Sequence, residues 1–353
     1  MATRITWWFA AVLVASTSAY GPGVLARGAR PAVRRAAAQP VALARRPRTF
    51  KSYAEYELAL RQEAELPEGF SVGLTGFTFK PAELGGTKTA VMNLTLIVLD
   101  EPSNHFAAVF TRNAYPGAPV KVGRKRLASR KPVQAVVVNN KIANVCGGGD
   151  GVADSERVCA AVAQSLGLAG GAESVVPLST GVIGWKLPVE QIVAAIPAAA
   201  EARARGSAFP AARSIMTTDR YPKLRSVEAC GGRLVGFAKG AGMIEPDMAT
   251  MLAFVLTDVA VPRAQLQRML SAAAESTFNC ASVDAAQSTS DSVLCLSSAA
   301  TSFADTEDDR AEFAAALRRL CAELSEDVVP SPDARFPWSL GESVLMTAGT
   351  FPF

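Results

Sequence analysis

Apolar segments of strand length recur along this chain between amphipathic helical patterns, and this alternation limits the fold more than any other feature. Residues 70–79 alternate apolar and polar side chains, whereas 91–99 (VMNLTLIVL) are nearly all apolar, which is typical of a strand buried on both faces. Further strands are predicted at 106–111, 132–138, 233–237, 251–260 and 292–297, and helices at 155–166, 188–196, 262–276 and 307–326. Because no segment repeats with a fixed period, the sequence predicts a non-repetitive mixed α/β fold.

The first 50 residues are predicted to be a targeting presequence. Residues 7–15 (WWFAAVLVA) form a short apolar core behind Arg4, and residues 21–50 are rich in Arg, Ala and Pro and free of acids. A signal-like core, an aromatic Tyr20 and a transit-like stretch resemble the two-part leaders of algal plastid proteins, so we expect a plastid location. A mitochondrial presequence is the alternative. No later segment reaches about 18 uninterrupted apolar residues, so the mature protein is not expected in a membrane.

Charge and composition exclude several classes of function. The presequence contains eight Arg, and the remaining 28 basic and 32 acidic residues leave a mildly acidic protein, which argues against a nucleic-acid partner. His105 is the single histidine, which excludes His-rich metal sites and the HExxH motif, and the six Cys form no CxxC pair. The basic run Lys121–Lys131 is predicted to be a solvated loop, and Pro197 is expected to kink or end its helix.

Two glycine-rich segments are poor nucleotide cradles. Residues 147–151 (GGGDG) lack the GxGxxG spacing and a predicted helix start, so a surface turn is favoured. Lys239 precedes its glycines, whereas a Walker loop requires the lysine after them. Thr180-Gly181 is a better candidate, because a hydroxyl and a neighbouring backbone N–H can together form an oxyanion hole. An ordinary Ser-Thr-Gly turn is the alternative.

Thr250 precedes a strongly apolar strand and could be an N-terminal nucleophile. If the chain were cut before Thr250, the freed α-amino group would be the general base for the adjacent hydroxyl, and no histidine would be needed. An ordinary β-branched strand residue is the alternative. Residues 284–292 (DAAQSTSDS) contain two carboxylates and four hydroxyls that could bind a cation or an ammonium group. A polar turn explains this segment equally well.

Several segments, taken in order, resemble the ornithine acetyltransferase family, also called glutamate N-acetyltransferase. They are FAAVFTRN and APV (106–120), VVVNNKIANVCGGG (136–149), STGVIGWKLP (179–188), IMTTDRYPK (215–223), AKGAGMIEPDMATML (238–252) and DAAQSTSDS (284–292). The resemblance implies a layered α/β architecture and self-cleavage between Ala249 and Thr250. It also implies that Thr250 is the nucleophile, that Thr180 and Gly181 form the oxyanion hole, and that Thr217, Lys239 and Thr250 contact substrate.

The resemblance further implies transfer of an acetyl group from N-acetylornithine to glutamate, without a metal or cofactor. Acetyl-coenzyme A is a possible co-substrate. Cleavage would divide the chain into an α segment (51–249) and a β segment (250–329) that remain together, as α2β2. An N-terminal Thr amidohydrolase or aminopeptidase, or an inactive relative that only binds, are the alternative functions.

The chain departs from the family pattern in two places. Asn139-Asn140-Lys141-Ile142-Ala143-Asn144 replaces the usual Asn-Ser-Gly-Asn-Ala-Asn, so roles of the missing polar groups do not transfer. The family continues for about a hundred residues beyond the last predicted helix, whereas residues 330–353 look unrelated to it. We therefore expect that this tail results from an incomplete or misread gene.

Overall fold

The computed structural model describes residues 50–241, 251–281 and 288–329, which form nine strands and seven α-helices. The strands are β1 (Phe70–Phe79), β2 (Ala90–Ser103), β3 (Phe106–Phe110), β4 (Val133–Asn139), β5 (Val175–Ser179), β6 (Lys223–Ala229), β7 (Gly232–Lys239), β8 (Leu252–Val259) and β9 (Ser292–Thr301). The helices are α1 (Tyr53–Glu63), α2 (Ala118–Ser129), α3 (Gly151–Leu166), α4 (Val189–Glu201), α5 (Phe209–Ser214), α6 (Arg263–Ser276) and α7 (Glu307–Val328). The predicted presequence and the 330–353 tail lie outside the described residues.

The strands form two mixed sheets. The first has the order β1-β2-β4-β5, with an antiparallel β1–β2 hairpin and a parallel β4–β5 pair. The second has the order β3-β9-β8-β7-β6, in which β8 and β9 are parallel and the other neighbours are antiparallel. Parallel strands need a crossover connection, and helices α3 and α6 supply it in the two sheets.

Two sheets packed face to face between two helical layers make this a layered α/β fold, as the sequence resemblance implied. One core lies between the sheets, where Ile97 and Val136 of the first share a cluster with Phe237 and Phe254 of the second. The opposite face of the first sheet packs against α3 and α4. The opposite face of the second sheet packs against α6 and α7. Both sheets are therefore covered on both faces, which explains their nearly continuous apolar strands.

The prediction of a solvated loop at 121–131 is wrong, because most of this segment belongs to α2. Pro119 lies in the first turn of that helix, where a missing N–H costs nothing. Arg126 is almost fully buried, forms an ion pair with Glu156 and donates to the Val175 carbonyl oxygen at 3.2 Å. Arg126 is therefore an interior residue of α2, although it belongs to a run of basic residues that suggests exposure to solvent.

Two local predictions about helices also need correction. A helix does begin within the GGGDG segment, at Gly151, because the Asp150 carboxylate accepts the Val152 and Ala153 N–H groups as an N-cap. This carboxylate occupies the position where a helix N-terminus would bind an anion. Pro197 does not end α4, which continues to Glu201 and buries Ile196 and Ala199 against the first sheet.

The last helix follows its sequence signal closely. Thr306 and Asp309 form a capping box at the start of α7, as predicted. Phe313, Leu317 and Leu320 are buried against the second sheet. No helix among the described residues has both the length and the apolar character needed to cross a membrane.

Candidate active site

The ends of strands from both sheets meet at one edge of the sandwich. In the second sheet, Lys239 at the end of β7 pairs with Leu252 at the start of β8, which pairs in turn with Ser292 at the start of β9. In the first sheet, Thr180 follows the last residue of β5. The Lys239 Nζ lies 2.8 Å from the Thr180 Oγ1, so this contact joins the two sheets at that edge.

The Thr180-Gly181 turn has a tightly determined backbone. Its flanking amides are engaged, since Thr180 N–H donates to the Asn139 carbonyl oxygen at 3.0 Å and Val182 N–H donates to the Lys141 carbonyl oxygen at 2.9 Å. Gly181 has a φ of +126°, and a Cβ there would lie 2.2 Å from the Lys141 oxygen, so only glycine fits. Within the described ranges, no hydrogen bond engages the Gly181 N–H. An unengaged N–H beside a hydroxyl has the composition of an oxyanion hole.

Lys239 determines the direction of the Thr180 hydroxyl. A lysine ammonium has three donors and no acceptor, so the Thr180 oxygen accepts from it and its own hydrogen remains free to donate elsewhere. Lys239 is 1% exposed. Burial lowers its pKa to about 8, although the charges of Asp219 and Asp291 oppose this effect. The pair can therefore present one hydroxyl donor beside a buried positive charge.

Asp219, which the sequence analysis did not single out, joins Thr217 to the lysine strand. Its buried carboxylate forms an ion pair with Lys223 at 2.5 Å and accepts the Gly240 N–H at 2.7 Å. Burial acts to raise its pKa, but the charges of Lys223 and Lys239, together with the hydrogen bonds from Lys223 and the Gly240 N–H, outweigh burial, and the net pKa is lowered. The Thr217 N–H donates to the same carboxylate at 3.0 Å, while the Thr217 residue itself is exposed. The only sequence signal for this role was that Asp219 closes the MTTD segment.

Asn140 links the first sheet to the segment that contains Thr217. The usual family residue at this position is Ser. Its side-chain oxygen accepts the Asn93 N–H at 2.8 Å, and its amide donates to the Met216 carbonyl oxygen at 2.8 Å. Met216 directly precedes Thr217. The substitution therefore gives this chain a side chain long enough to link β2 to the candidate substrate-contacting segment.

Ala249 and Thr250, the predicted cleavage junction and nucleophile, lie outside the described residues. The next residue, Met251, is described, and its N–H donates to the Oδ1 of Asp291 at 2.7 Å. This nitrogen forms the peptide bond to residue 250. Asp291 belongs to the 284–292 segment for which an ammonium site and a polar turn were both open, and residues 282–287 are also outside the described residues.

The structure thus brings together Thr180, Gly181 and Lys239, with Met251 directly before the neighbouring strand β8 and Thr217 linked through Asp219. In the described parts of the chain, no three His, Cys, Asp or Glu side chains cluster closely enough to hold a metal ion. The fold and the site define a layered α/β protein with a buried lysine–threonine pair where its two sheets meet. The model of the ArgJ family matches residues 81–333, so this chain belongs to the ArgJ family.

Curated proteins that are similar to this chain are named arginine biosynthesis bifunctional protein ArgJ. The arginine biosynthesis bifunctional protein ArgJ of Nitratidesulfovibrio vulgaris is 41% identical over 254 residues, covering 71% of this chain and 64% of that protein. The protein of the same name from Methylococcus capsulatus is 44% identical over 230 residues, covering 63% and 55%. A structure of ornithine acetyltransferase complexed with ornithine from Mycobacterium tuberculosis is 29% identical, with a TM-score of 0.41, and the match covers 54% of this chain and 97% of that one. Across four curated relatives, including these two, the chain spans 55% to 66% of the relative's length.

Proposed function

We propose that this protein transfers an acetyl group from N2-acetyl-L-ornithine to L-glutamate through an acetyl-Thr250 intermediate. The observation that carries the proposal is the buried contact of Lys239 with Thr180, which joins the two sheets beside the strand that follows residue 250. Membership of the ArgJ family supports the assignment, because relatives carry the name of an arginine biosynthesis bifunctional protein.

Each step of the reaction uses a group that the site offers. The Thr250 hydroxyl attacks the acetyl carbonyl carbon, and its proton passes to the α-amino group of the same residue. The Thr180 hydroxyl and the Gly181 N–H donate to the oxyanion that forms. When this intermediate collapses, the proton passes to the departing amine of ornithine and an acetyl ester remains on Thr250. The neutral amine of glutamate then attacks the ester, and the same donors stabilise the second oxyanion. Its collapse breaks the bond to the Thr250 oxygen, N-acetylglutamate leaves, and the proton lost by the glutamate amine passes through the α-amino group to the Thr250 hydroxyl.

Lys239 has two compatible roles in this scheme. As a donor to Thr180, it orients the hydroxyl that stabilises the oxyanion. Its ammonium has two further N–H donors, and one of them can pair with the α-carboxylate shared by both amino acids. Because the site is buried, either interaction is stronger than it would be at the surface. Thr217 completes the proposed set of substrate contacts.

The proposal includes formation of the active chain. The Thr250 hydroxyl attacks the Ala249 carbonyl carbon, and the C–N bond breaks in an N-to-O acyl shift that frees the α-amino group and leaves an ester. Hydrolysis of that ester releases the Ala249 carboxylate and restores the Thr250 hydroxyl. Fragments 51–249 and 250–329 then stay associated, as α2β2, without a metal or cofactor. Acetyl-coenzyme A is a second possible acetyl donor. We propose the plastid stroma as location, after removal of residues 1–50, with the mitochondrial matrix as the alternative.

A cleavage and transfer assay tests this function. The wild-type protein should give two fragments on a denaturing gel, and the second should begin at Thr250 and gain one acetyl group when incubated with N-acetylornithine. Thr250→Ala should remain uncut and transfer no acetyl group. Thr257→Ala is the matched control, because Thr257 is a buried threonine near the opposite end of β8, and this variant should be cleaved.

Other results would identify the alternatives. Release of free acetate without acetylation of glutamate would indicate an amidohydrolase. An uncut wild-type chain that binds ornithine would indicate a binding protein. Acetyl transfer by Thr250→Ala would contradict the proposed nucleophile.

A further inference from the structure

One buried carboxylate, that of Asp219, joins three separate parts of the candidate site. Its Oδ1 accepts the Gly240 N–H at 2.7 Å and a hydrogen of the Lys223 ammonium at 2.5 Å. Its Oδ2 accepts the Thr217 N–H at 3.0 Å. The Asp219 side chain is 0% exposed and that of Lys223 is 3% exposed, so these bonds lie in the interior. Both carboxylate oxygens are engaged, and they fix the turn after α5 to the start of β6 and to the residue after β7.

Lys239, which contacts Thr180, depends on a negative charge nearby. Its Nζ lies against a neutral hydroxyl, and burial alone favours the uncharged amine. The charges of Asp219 and Asp291 act against this effect of burial, whereas the charge of Lys223 adds to it. Burial raises the pKa of Asp291 to about 7, whereas the net pKa of Asp219 is lowered because its lysine neighbours and hydrogen bonds outweigh burial. Near neutral pH, Asp219 is therefore the more fully ionised of the two carboxylates.

The charge state of Lys239 determines what the Thr180 hydroxyl can do. An ammonium can only donate, so the Thr180 oxygen accepts and the hydroxyl hydrogen stays available for an oxyanion. A neutral amine has a lone pair that can take this hydrogen instead, and it cannot form an ion pair with a substrate carboxylate. Because both Asp219 oxygens are already engaged, Asp219 would influence the reaction through Lys239 rather than by touching the reacting atoms.

We propose that Asp219 is a positioning residue of this site: it fixes the Thr217 segment to the end of β7 and keeps Lys239 in its ammonium form against Thr180. This inference deepens the proposed function and rests on it, because Thr217 and Lys239 are proposed substrate contacts. Asp219 stays ionised and exchanges no proton with substrate. It cannot by itself neutralise both Lys223 and Lys239, and buried charges are normally paired. The α-carboxylate of an amino acid substrate supplies further negative charge.

Asp219→Asn removes the charge, while the amide oxygen of Asn can still accept the Gly240 N–H and the Lys223 ammonium. An NMR pH titration of protein with 13C-labelled lysine side chains measures the effect directly, with the Lys239 signal assigned through Lys239→Met. Its titration midpoint should fall by about one pH unit, because an adjacent opposite charge usually contributes that much or more.

Steady-state kinetics separate this electrostatic role from a structural one. If the Lys239 midpoint falls by about one pH unit from about 8, the ammonium form at pH 9 becomes about tenfold scarcer in the variant, whereas at pH 6 it is nearly complete in both proteins. The ratio of the variant KM for glutamate to the wild-type KM should therefore grow about tenfold between pH 6 and pH 9. A purely structural defect would change KM by the same factor at every pH.

Lys223→Met tests the same idea with the opposite sign. It removes a positive charge near Lys239 and keeps the Asp219 carboxylate, so the Lys239 midpoint should rise. Asp258→Asn is the matched control, because Asp258 is a buried carboxylate that also accepts a backbone N–H, from Arg233 at 2.8 Å, but lies near the opposite end of β8. The Lys239 midpoint and the KM should not change in this variant.

The inference is overturned if the Lys239 midpoint does not fall in Asp219→Asn, if the KM ratio is constant with pH, or if Asp258→Asn has the same effects. It is also overturned if the midpoint does not rise in Lys223→Met, and this titration decides alone should Asp219→Asn fail to fold. Failure of the proposed function gives a different result: the wild-type protein would transfer no acetyl group to glutamate, although both midpoints move as expected.

Discussion

Replacing Gly181 with Ala tests whether the backbone conformation of the Thr180-Gly181 turn is as tightly constrained as its contacts indicate. At a φ of +126° an alanine is strained, by about 1–2 kcal/mol if the usual cost of left-handed backbone applies. Its Cβ would also lie 2.2 Å from the Lys141 oxygen, whereas a carbon and an oxygen in contact are normally about 3.3 Å apart or more. That oxygen cannot easily retreat, because it accepts the Val182 N–H at 2.9 Å. Overpacking of this kind typically costs a further ~1–3 kcal/mol.

The expected loss for Gly181→Ala is therefore roughly 2–5 kcal/mol in the free energy of unfolding, measured by urea denaturation. Gly184→Ala is the control in the same loop, since Gly184 also has a positive φ, of +88°, but a Cβ there would meet no atom within 4 Å. It should lose only the strain of about 1–2 kcal/mol. Acetyl transfer should also fall far more in Gly181→Ala, because the Gly181 N–H is displaced. Equal loss of stability in the two variants would refute this argument.

Three further outcomes are expected from Thr180 and Lys239. Thr180→Val should lower kcat by about 100–1000-fold with little change in KM, because one oxyanion donor is lost. Thr180→Ser restores that donor and should recover most of the rate. A change in KM alone, measured by steady-state kinetics, would exclude this role. Lys239→Ala should raise the KM for both amino acids, and an unchanged KM would remove its proposed contact with substrate. Burial lowers the pKa of Lys239 from the ordinary 10.5 to about 8, so the folded protein binds fewer protons than the unfolded chain between these values. The free energy of unfolding should therefore rise with pH across that interval, and Lys239→Met should flatten the rise in urea titrations.

Strands and helices with a strong local pattern could be predicted from the sequence. The alternation at 70–79 coincides with β1, and the Thr306–Asp309 capping box marks the start of α7. Such signals depend on neighbours within a few residues, so no knowledge of the remaining fold is needed. The basic run at 121–131 shows where local patterns fail. Its basic residues suggested solvent exposure, but tertiary contacts with Glu156 and the Val175 carbonyl make Arg126 an interior residue.

The candidate site, too, could be predicted only in part from the sequence. The sequence singled out Thr180, Gly181, Lys239 and Thr217 as residues of one family pattern, but it contained no information on which of them touch. The structure shows Lys239 against Thr180 across two sheets, and it adds Asp219, whose only sequence signal was its place at the end of the MTTD segment. It also places Asp291, one of the two carboxylates of the 284–292 segment, against the Met251 N–H. Burial and the backbone amides that they accept show the position of both carboxylates, which the sequence alone does not.

By itself, the sequence determined the mixed α/β class, the family and most strands and helices, because apolar periodicity, caps and motifs are properties of short stretches of chain. The tertiary structure alone decided that the ends of β5 and β7 meet and that a lysine 59 residues along the chain from Thr180 orients its hydroxyl. It also decided that the buried carboxylate of Asp291 accepts the Met251 N–H just before β8. Such contacts depend on how two sheets pack, and packing is set by the whole core rather than by any single segment.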